Sequence, residues 1–192
     1  MTSLSDKDLP AVQRGMGGMG VLEEQDTYLN RLGRKLGEAL LAKGWSVATA
    51  ESCTGGWIAK VLTDVPGCSQ WFGWGFVTYA DDAKEKMLHV SKEVLDHYGA
   101  VSRETARSMA EGARDATQAQ LAMAVTGIAG PEGGSKEKPV GTVWFGWTGP
   151  DGFHAECCHF EGDRENIRRE SVTHAIKLLL RVVNGSLGGQ GD

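Results

Sequence analysis

Ser52 stands in the run A-T-A-E-S-C-T-G-G-W (residues 48–57), where small and β-branched residues give way to polar ones, a glycine pair and an amphipathic segment. That order of residue types describes a strand turning sharply into a helix. A hydroxyl at such a turn stands clear of the sheet, and free N–H groups at the start of the helix stabilise negative charge forming beside it. The chemistry expected of Ser52 is therefore nucleophilic attack. Two other readings of the stretch stay open: Ser52 or Thr54 would serve as an ordinary N-cap, and Cys53 is the better intrinsic nucleophile beside a helix start.

A serine nucleophile needs a base, because its hydroxyl is barely ionised at neutral pH. His89 and His97 fall on short helices, where packed or solvated roles are usual. A lysine can serve if burial or nearby charge keeps it neutral. Lys84 follows the strand end at Tyr79 and opens a helix, which places it at a sheet edge; spacing does not choose it over Lys86 or Lys43.

A second strand-to-loop junction begins at Thr126, in T-G-I-A-G-P-E-G-G-S-K-E-K-P. If the two strands are parallel neighbours, both junctions open on one sheet edge, where α/β proteins bind ligands. Gly55, Gly56, Gly127 and Gly130 would then let backbone N–H groups approach an anion. Arg164 and Arg168 share a helical face and suit a phosphate or carboxylate. At a helix start their charge opposes the dipole, which favours an anionic partner, with surface pairing to Glu161, Asp163 or Glu165 as the alternative.

The elements that must position these groups follow from periodicity. Leu29, Leu32, Leu36, Leu40 and Leu41 mark a helix from Tyr28 to Gly44; a strand precedes Glu51, and a helix carries Trp57, Ile58, Val61 and Leu62. Residues 71–80 read as a strand, Asp81 and Asp82 start a helix, residues 91–97 make another, and Ser102 opens a longer one with the small face Ala106, Met109, Ala110, Ala113 and Ala116. Residues 121–125 form a buried strand, residues 140–149 and 153–160 a hairpin, and a last helix runs to about Val183. The expected fold class is α/β: a layered domain with a mixed, mostly parallel sheet flanked by helices, closed by a hairpin and a C-terminal helix. Residues 1–24 read as a flexible leader, 25–184 as the domain and 185–192 as a disordered tail. Gly15, Gly17 and Gly20 match G-x-G-x-x-G, but no strand precedes them, so no dinucleotide loop is expected.

Composition removes several classes. The chain has 192 residues and a net charge of -5, without the clustered Lys and Arg that nucleic acid demands. No apolar run approaches a membrane span or a signal peptide, which suggests a cytoplasmic protein. There is no G-K-S/T for a phosphate-binding loop. Four cysteines and five histidines lack metal-ligand spacing, so no metal site is expected. The small face of the Ser102 helix suits packing on a sheet or on a partner helix, and on that basis a homo-oligomer, a dimer, is expected.

The stretches A-E-S-C-T-G-G (50–56), G-F-V-T-Y-A-D-D-A-K (75–84), G-A-V-S (99–102), T-G-I-A-G-P-E-G-G-S-K-E-K-P-V-G-T-V-W (126–144) and F-E-G-D-R (160–164) closely resemble the CinA carboxy-terminal domain family. The resemblance is collinear over about residues 28–183. It implies an amidohydrolase that deamidates nicotinamide mononucleotide to nicotinate mononucleotide and ammonia in pyridine nucleotide recycling, without metal or cofactor. It further implies a Ser/Lys mechanism with Ser52 as nucleophile, Lys84 as base and Tyr79 beside them. Thr126 and Arg164 are implied to bind substrate; beside them, the reading of the residues expects Thr54, Gly55, Gly56, Gly127 and Gly130 to contact it through backbone N–H groups, and more weakly Arg168. The alternative within the same family is a nucleotide-binding regulatory module without catalysis.

Overall fold

The computed structural model of the chain describes residues 11–186. A five-stranded sheet has the order β2-β1-β3-β4-β5, formed by β1 (Val47–Glu51), β2 (Phe72–Val77), β3 (Leu121–Gly127), β4 (Thr142–Gly149) and β5 (Gly152–His159). β1 pairs in parallel with both β2 and β3, whereas β3–β4 and β4–β5 are antiparallel. The sheet is mixed, as expected, with its parallel and antiparallel ladders equal in number rather than mostly parallel. β1 reads as five consecutive buried residues because it lies between two parallel neighbours and under helices on both faces.

Among the described residues six α-helices cover the sheet: α1 (Ala11–Lys43), α2 (Trp57–Thr63), α3 (Asp81–Leu88), α4 (Lys92–Tyr98), α5 (Arg103–Thr117) and α6 (Arg164–Val183). Strand alternation divides the core in two. Val47, Leu121, Met123, Val125, Val143 and Phe145 pack with residues of α1, α2 and α6 on one face. Ala48, Ala50, Ala122 and Ala124 meet Leu88 of α3, Leu95 of α4 and Met109, Ala110 and Ala113 of α5 on the other. Alanines at four sheet positions let α5 sit close, so the small-residue face is consumed within the chain. It therefore gives no support to a dimer, and Ala116, expected on that face, is exposed.

Ser91 and Ser102 cap α4 and α5, their hydroxyls accepting from the Val94 and Thr105 N–H groups. Two expectations change. The chain is helical from Ala11 rather than from Tyr28, so residues 11–24 of the expected flexible leader belong to the helix that the buried leucines anchor. The G-x-G-x-x-G positions thus lie within a helix. Leu41 is 46% exposed, since one further residue rotates it away from the stripe that ends at Leu40. The expectations for residues 1–10 and 187–192 lie outside the described residues. Among the described residues no helix is long and apolar enough to cross a membrane.

A close backbone approach ties the two helices on the second face. A Cβ on Gly112 of α5 would stand 2.0 Å from the Leu88 carbonyl oxygen at the end of α3. Alanine in an exposed helix would gain about 1 kcal/mol over glycine. Here overpacking against backbone, about 1–3 kcal/mol, reverses the sign. Gly112→Ala is expected to lower the urea midpoint, and an unchanged or higher midpoint would show that α3 moves aside at no cost.

Candidate active site

The parallel register brings the two junctions together. Glu51 of β1 pairs with Val77 of β2 and with Val125 of β3. One residue on, the Ser52 N–H donates to the Val125 carbonyl (2.9 Å) and the Thr78 N–H to the Glu51 carbonyl (2.8 Å). Ser52, Thr78 and Thr126 therefore leave three adjacent strands at one edge, where an α/β sheet presents its site.

Glu51 decides what Ser52 is free to do. Its side chain is fully buried and its two carboxylate oxygens accept the Ile58 and Ala59 N–H groups at 3.0 and 2.8 Å. The N-cap position of α2 is Gly56, which has no side chain to cap the helix. The N-terminus of α2 is thus capped from the end of β1, and neither Ser52 nor Thr54 is spent as the cap. Sequence reasoning missed this role, because a capping acid is sought immediately before a helix and Glu51 reaches it across a turn.

Burial pushes the Glu51 carboxyl above its ordinary value of 4.5, and the N–H groups of Ala59 and Ile58 offset part of that rise. The folded chain then holds this proton more tightly than the unfolded chain does. Stability from Glu51 is complete below the ordinary value and is lost as pH rises through the raised one. Glu51→Gln does not ionise, so the stability of the variant relative to the parent is expected to improve as pH rises from the ordinary carboxyl value of 4.5 through the raised one. A difference in melting temperature that is flat or declines across that range would contradict the assignment.

Lys84 lies in α3 on the sheet face that carries Ala48 and Ala50, and it is only 1% exposed. Glu51 points to the opposite face, toward α2, so strand alternation continued by one residue directs Ser52 to the Lys84 face. The two hydrogen bonds of the ammonium go to the Tyr79 carbonyl (3.1 Å) and to Asp81 Oδ1 (3.3 Å), and not to the Ser52 hydroxyl. Asp81, read from sequence only as a favourable helix start, also pairs with this lysine one turn later. Burial selects Lys84 among the lysines, because Lys86 and Lys43 are exposed and Lys86 pairs with Asp82.

Tyr79 connects the buried lysine to the surface. Its carbonyl holds Lys84, its ring is 57% exposed, and its hydroxyl accepts from Arg164 at 2.7 Å. The other arm of Arg164 donates to the Gly130 carbonyl at 2.8 Å. Both partners are neutral oxygens, so the guanidinium keeps its charge at the first turn of α6 and at the mouth of the strand edge. Asp163 caps that helix, and Glu165 pairs with Arg169. Arg164 thus has the arrangement expected for an anion-binding group.

Arg168 is used differently. It donates to the Cys53 carbonyl (3.1 Å) and the Thr54 carbonyl (2.9 Å), and its guanidinium lies 5.3 Å from the centre of the Trp57 ring. These contacts fasten the Ser52 turn to α6 as a structural clasp. Of the other expected ligand groups, several make internal contacts, while the buried Thr54 hydroxyl has no hydrogen-bond partner among the described residues. The Gly55 N–H donates to the Ser52 carbonyl (3.0 Å), and Gly55 and Gly56 have φ of 62° and 89°, a left-handed turn that favours glycine. Thr54 is fully buried, and the Thr126 hydroxyl donates to the Ala100 carbonyl at 2.7 Å, bracing the connection between α4 and α5. Gly127 is needed because a Cβ there would meet the Thr142 carbonyl at 2.7 Å. Gly130, with φ of 74°, presents its carbonyl to Arg164.

The glycine-rich loop after β3 is fastened rather than loose. Ser135 and Lys138 close a turn through two hydrogen bonds, and Lys138 Nζ donates to the Tyr98 carbonyl at 2.9 Å. Cys53 is buried, and burial pushes its thiol up to about 12. At neutral pH it is protonated and shielded, which removes the advantage sequence alone would give it over Ser52.

Comparison with known proteins places the whole described domain. The family model described as the CinA C-terminal domain matches residues 29–183. Nicotinamide-nucleotide amidohydrolase PncC of Escherichia coli (strain K12) is 49% identical over 157 residues, spanning 80% of this chain and 94% of that protein. A CinA-like protein of Geobacter sulfurreducens is 45% identical over 173 residues, spanning 90% of this chain but 41% of its own greater length. Among solved structures, that of competence/damage inducible protein CihA from Agrobacterium tumefaciens aligns with a TM-score of 0.77 at 44% identity, covering 81% of this chain and 95% of that one.

Proposed function

The chain belongs to the CinA C-terminal domain family, and from that premise we propose that it is an amidohydrolase converting nicotinamide mononucleotide to nicotinate mononucleotide and ammonia. The observation that carries the reading to particular atoms is the division of labour at the end of β1. Glu51 caps α2, which leaves the Ser52 hydroxyl at the strand edge on the face that holds the buried Lys84.

In the proposed reaction Lys84, in its neutral form, accepts the Ser52 proton as the serine oxygen attacks the carboxamide carbon. The N–H groups immediately after Ser52 face the developing oxyanion, an interaction worth about 3–4 kcal/mol per donor in characterised enzymes. Collapse of the tetrahedral intermediate breaks the carbon–nitrogen bond, and the proton held by Lys84 leaves with ammonia. Water then attacks the acyl ester, Lys84 takes its proton, and the carboxylate product departs as the serine is restored. Tyr79 orients Lys84 through its carbonyl and holds Arg164 through its hydroxyl. Arg164, charged and bound only to neutral oxygens, receives the nucleotide phosphate. Such a reaction recycles a pyridine nucleotide and belongs in the cytoplasm, where that substrate resides.

The test is to incubate the purified chain with nicotinamide mononucleotide and follow ammonia and nicotinate mononucleotide together. Equimolar release of both is expected. Saturable nucleotide binding without ammonia would replace this reading with that of a binding module.

A further inference from the structure

We propose that Glu156, Cys158 and His174 form a binding site for a zinc-class divalent cation, on the α6 face of the sheet and three strands along from Ser52. Sequence spacing hides the cluster, because two ligands lie on a strand and the third on a helix 16 residues beyond Cys158. The register of β5 puts Glu156 opposite Phe145 and Cys158 opposite Val143, so both side chains project on the face covered by α6. His174 of α6 lies over them.

The three donor atoms all lie within 4.8 Å of one another. His174 Nε2 is 3.6 Å from Cys158 Sγ and in contact with Glu156 Oε1. One ring nitrogen thus faces both a sulfur and a carboxylate, and a single proton on it can satisfy only one of them. A cation at the centre satisfies all three. Sulfur, imidazole and carboxylate are the donors zinc selects, and ligands at its usual bond lengths stand about 3.3–3.8 Å apart around a tetrahedral ion. The cluster therefore needs only small side-chain adjustments.

The surroundings suit a bound ion. Phe145 and Phe160 pack against the His174 ring at centroid distances of 4.7 and 6.0 Å and fix its orientation. The side chains of His174 and Glu156 are 27% and 32% exposed, which gives the ion an entry route and leaves water as the fourth ligand. Binding displaces the Cys158 thiol proton to solvent and forms a zinc–thiolate bond. The consequence is a cross-link between the edge strand β5 and α6, the helix whose first turns carry Arg164 and the Arg168 clasp.

The proposal is tested on the full chain carrying Cys157→Ser, so that the neighbouring exposed thiol does not contribute. Zinc is titrated against a chromophoric chelator, Cys158 alkylation is followed by peptide mass, and cobalt replaces zinc for absorption spectroscopy. Expected are one zinc per chain, slower Cys158 alkylation when zinc is present, and a thiolate-to-cobalt charge-transfer band. Cys158→Ser should abolish the band, and His174→Gln and Glu156→Gln should each weaken zinc binding by at least about tenfold, with circular dichroism confirming that the variants fold. No stoichiometric zinc, or zinc binding unchanged in folded Cys158→Ser and His174→Gln chains, overturns it.

Discussion

Lys84→Met is expected to lower kcat for ammonia release from nicotinamide mononucleotide by about 10²–10⁴-fold, the usual contribution of a positioned general base. The side chain it replaces is 1% exposed, so methionine keeps most of the packing while removing the proposed base. The loss should not be one of folding. Replacing a buried charge by an apolar side chain of similar size is often neutral or stabilising, and the Asp81 carboxylate left behind is exposed enough to rehydrate. Lys84→Arg separates two roles: it keeps positive charge near the Tyr79 carbonyl and Asp81 but does not deprotonate. Both variants should therefore be inactive. An arginine variant with near-parental kcat would make Lys84 a structural cation and would require another base.

Ser52→Ala is expected to reduce kcat by about 10³-fold or more while the dissociation constant for the substrate changes little. The reasoning is again local. Because Glu51 supplies the α2 cap and Arg168 holds the turn by the Cys53 and Thr54 carbonyls, the Ser52 side chain supports neither the helix nor the loop. Its removal should leave the melting temperature near that of the parent. A large fall in stability would mean that the hydroxyl has a structural duty the hydrogen bonds do not reveal.

What sequence made legible was the set of local patterns. The small, β-branched run before Glu51 announced β1, Ser91 and Ser102 announced their helices, and the two glycine-rich junctions pointed to one sheet edge. Interactions between residues far apart in the chain were not legible. Arg168 lies 115 residues from the Cys53 carbonyl it grips, and periodicity places it on the same face as Arg164 without showing that one holds the Ser52 turn and the other bridges Gly130 and Tyr79. Glu51 looked like a polar residue ending a strand, and only the turn of the chain carries its carboxylate to the α2 N-terminus. Thr126 and Gly127 marked the correct junction, but the Thr126 hydroxyl is drawn to Ala100 and Gly127 serves the approach of β4. Glu156, Cys158 and His174 converge because a strand register and a helix packing direction coincide, neither of which a spacing rule encodes.

The most direct measurement is the rate of ammonia release from nicotinamide mononucleotide by Ser52→Ala and Cys53→Ala chains assayed beside the parent. The Cys53 thiol, pushed up to about 12 by burial, is not a nucleophile at neutral pH, so Cys53→Ala should retain most of the parental rate. Ser52→Ala should release ammonia no faster than the background. The reverse pattern, activity surviving in Ser52→Ala and lost in a folded Cys53→Ala chain, would contradict the assignment of Ser52 as the nucleophile.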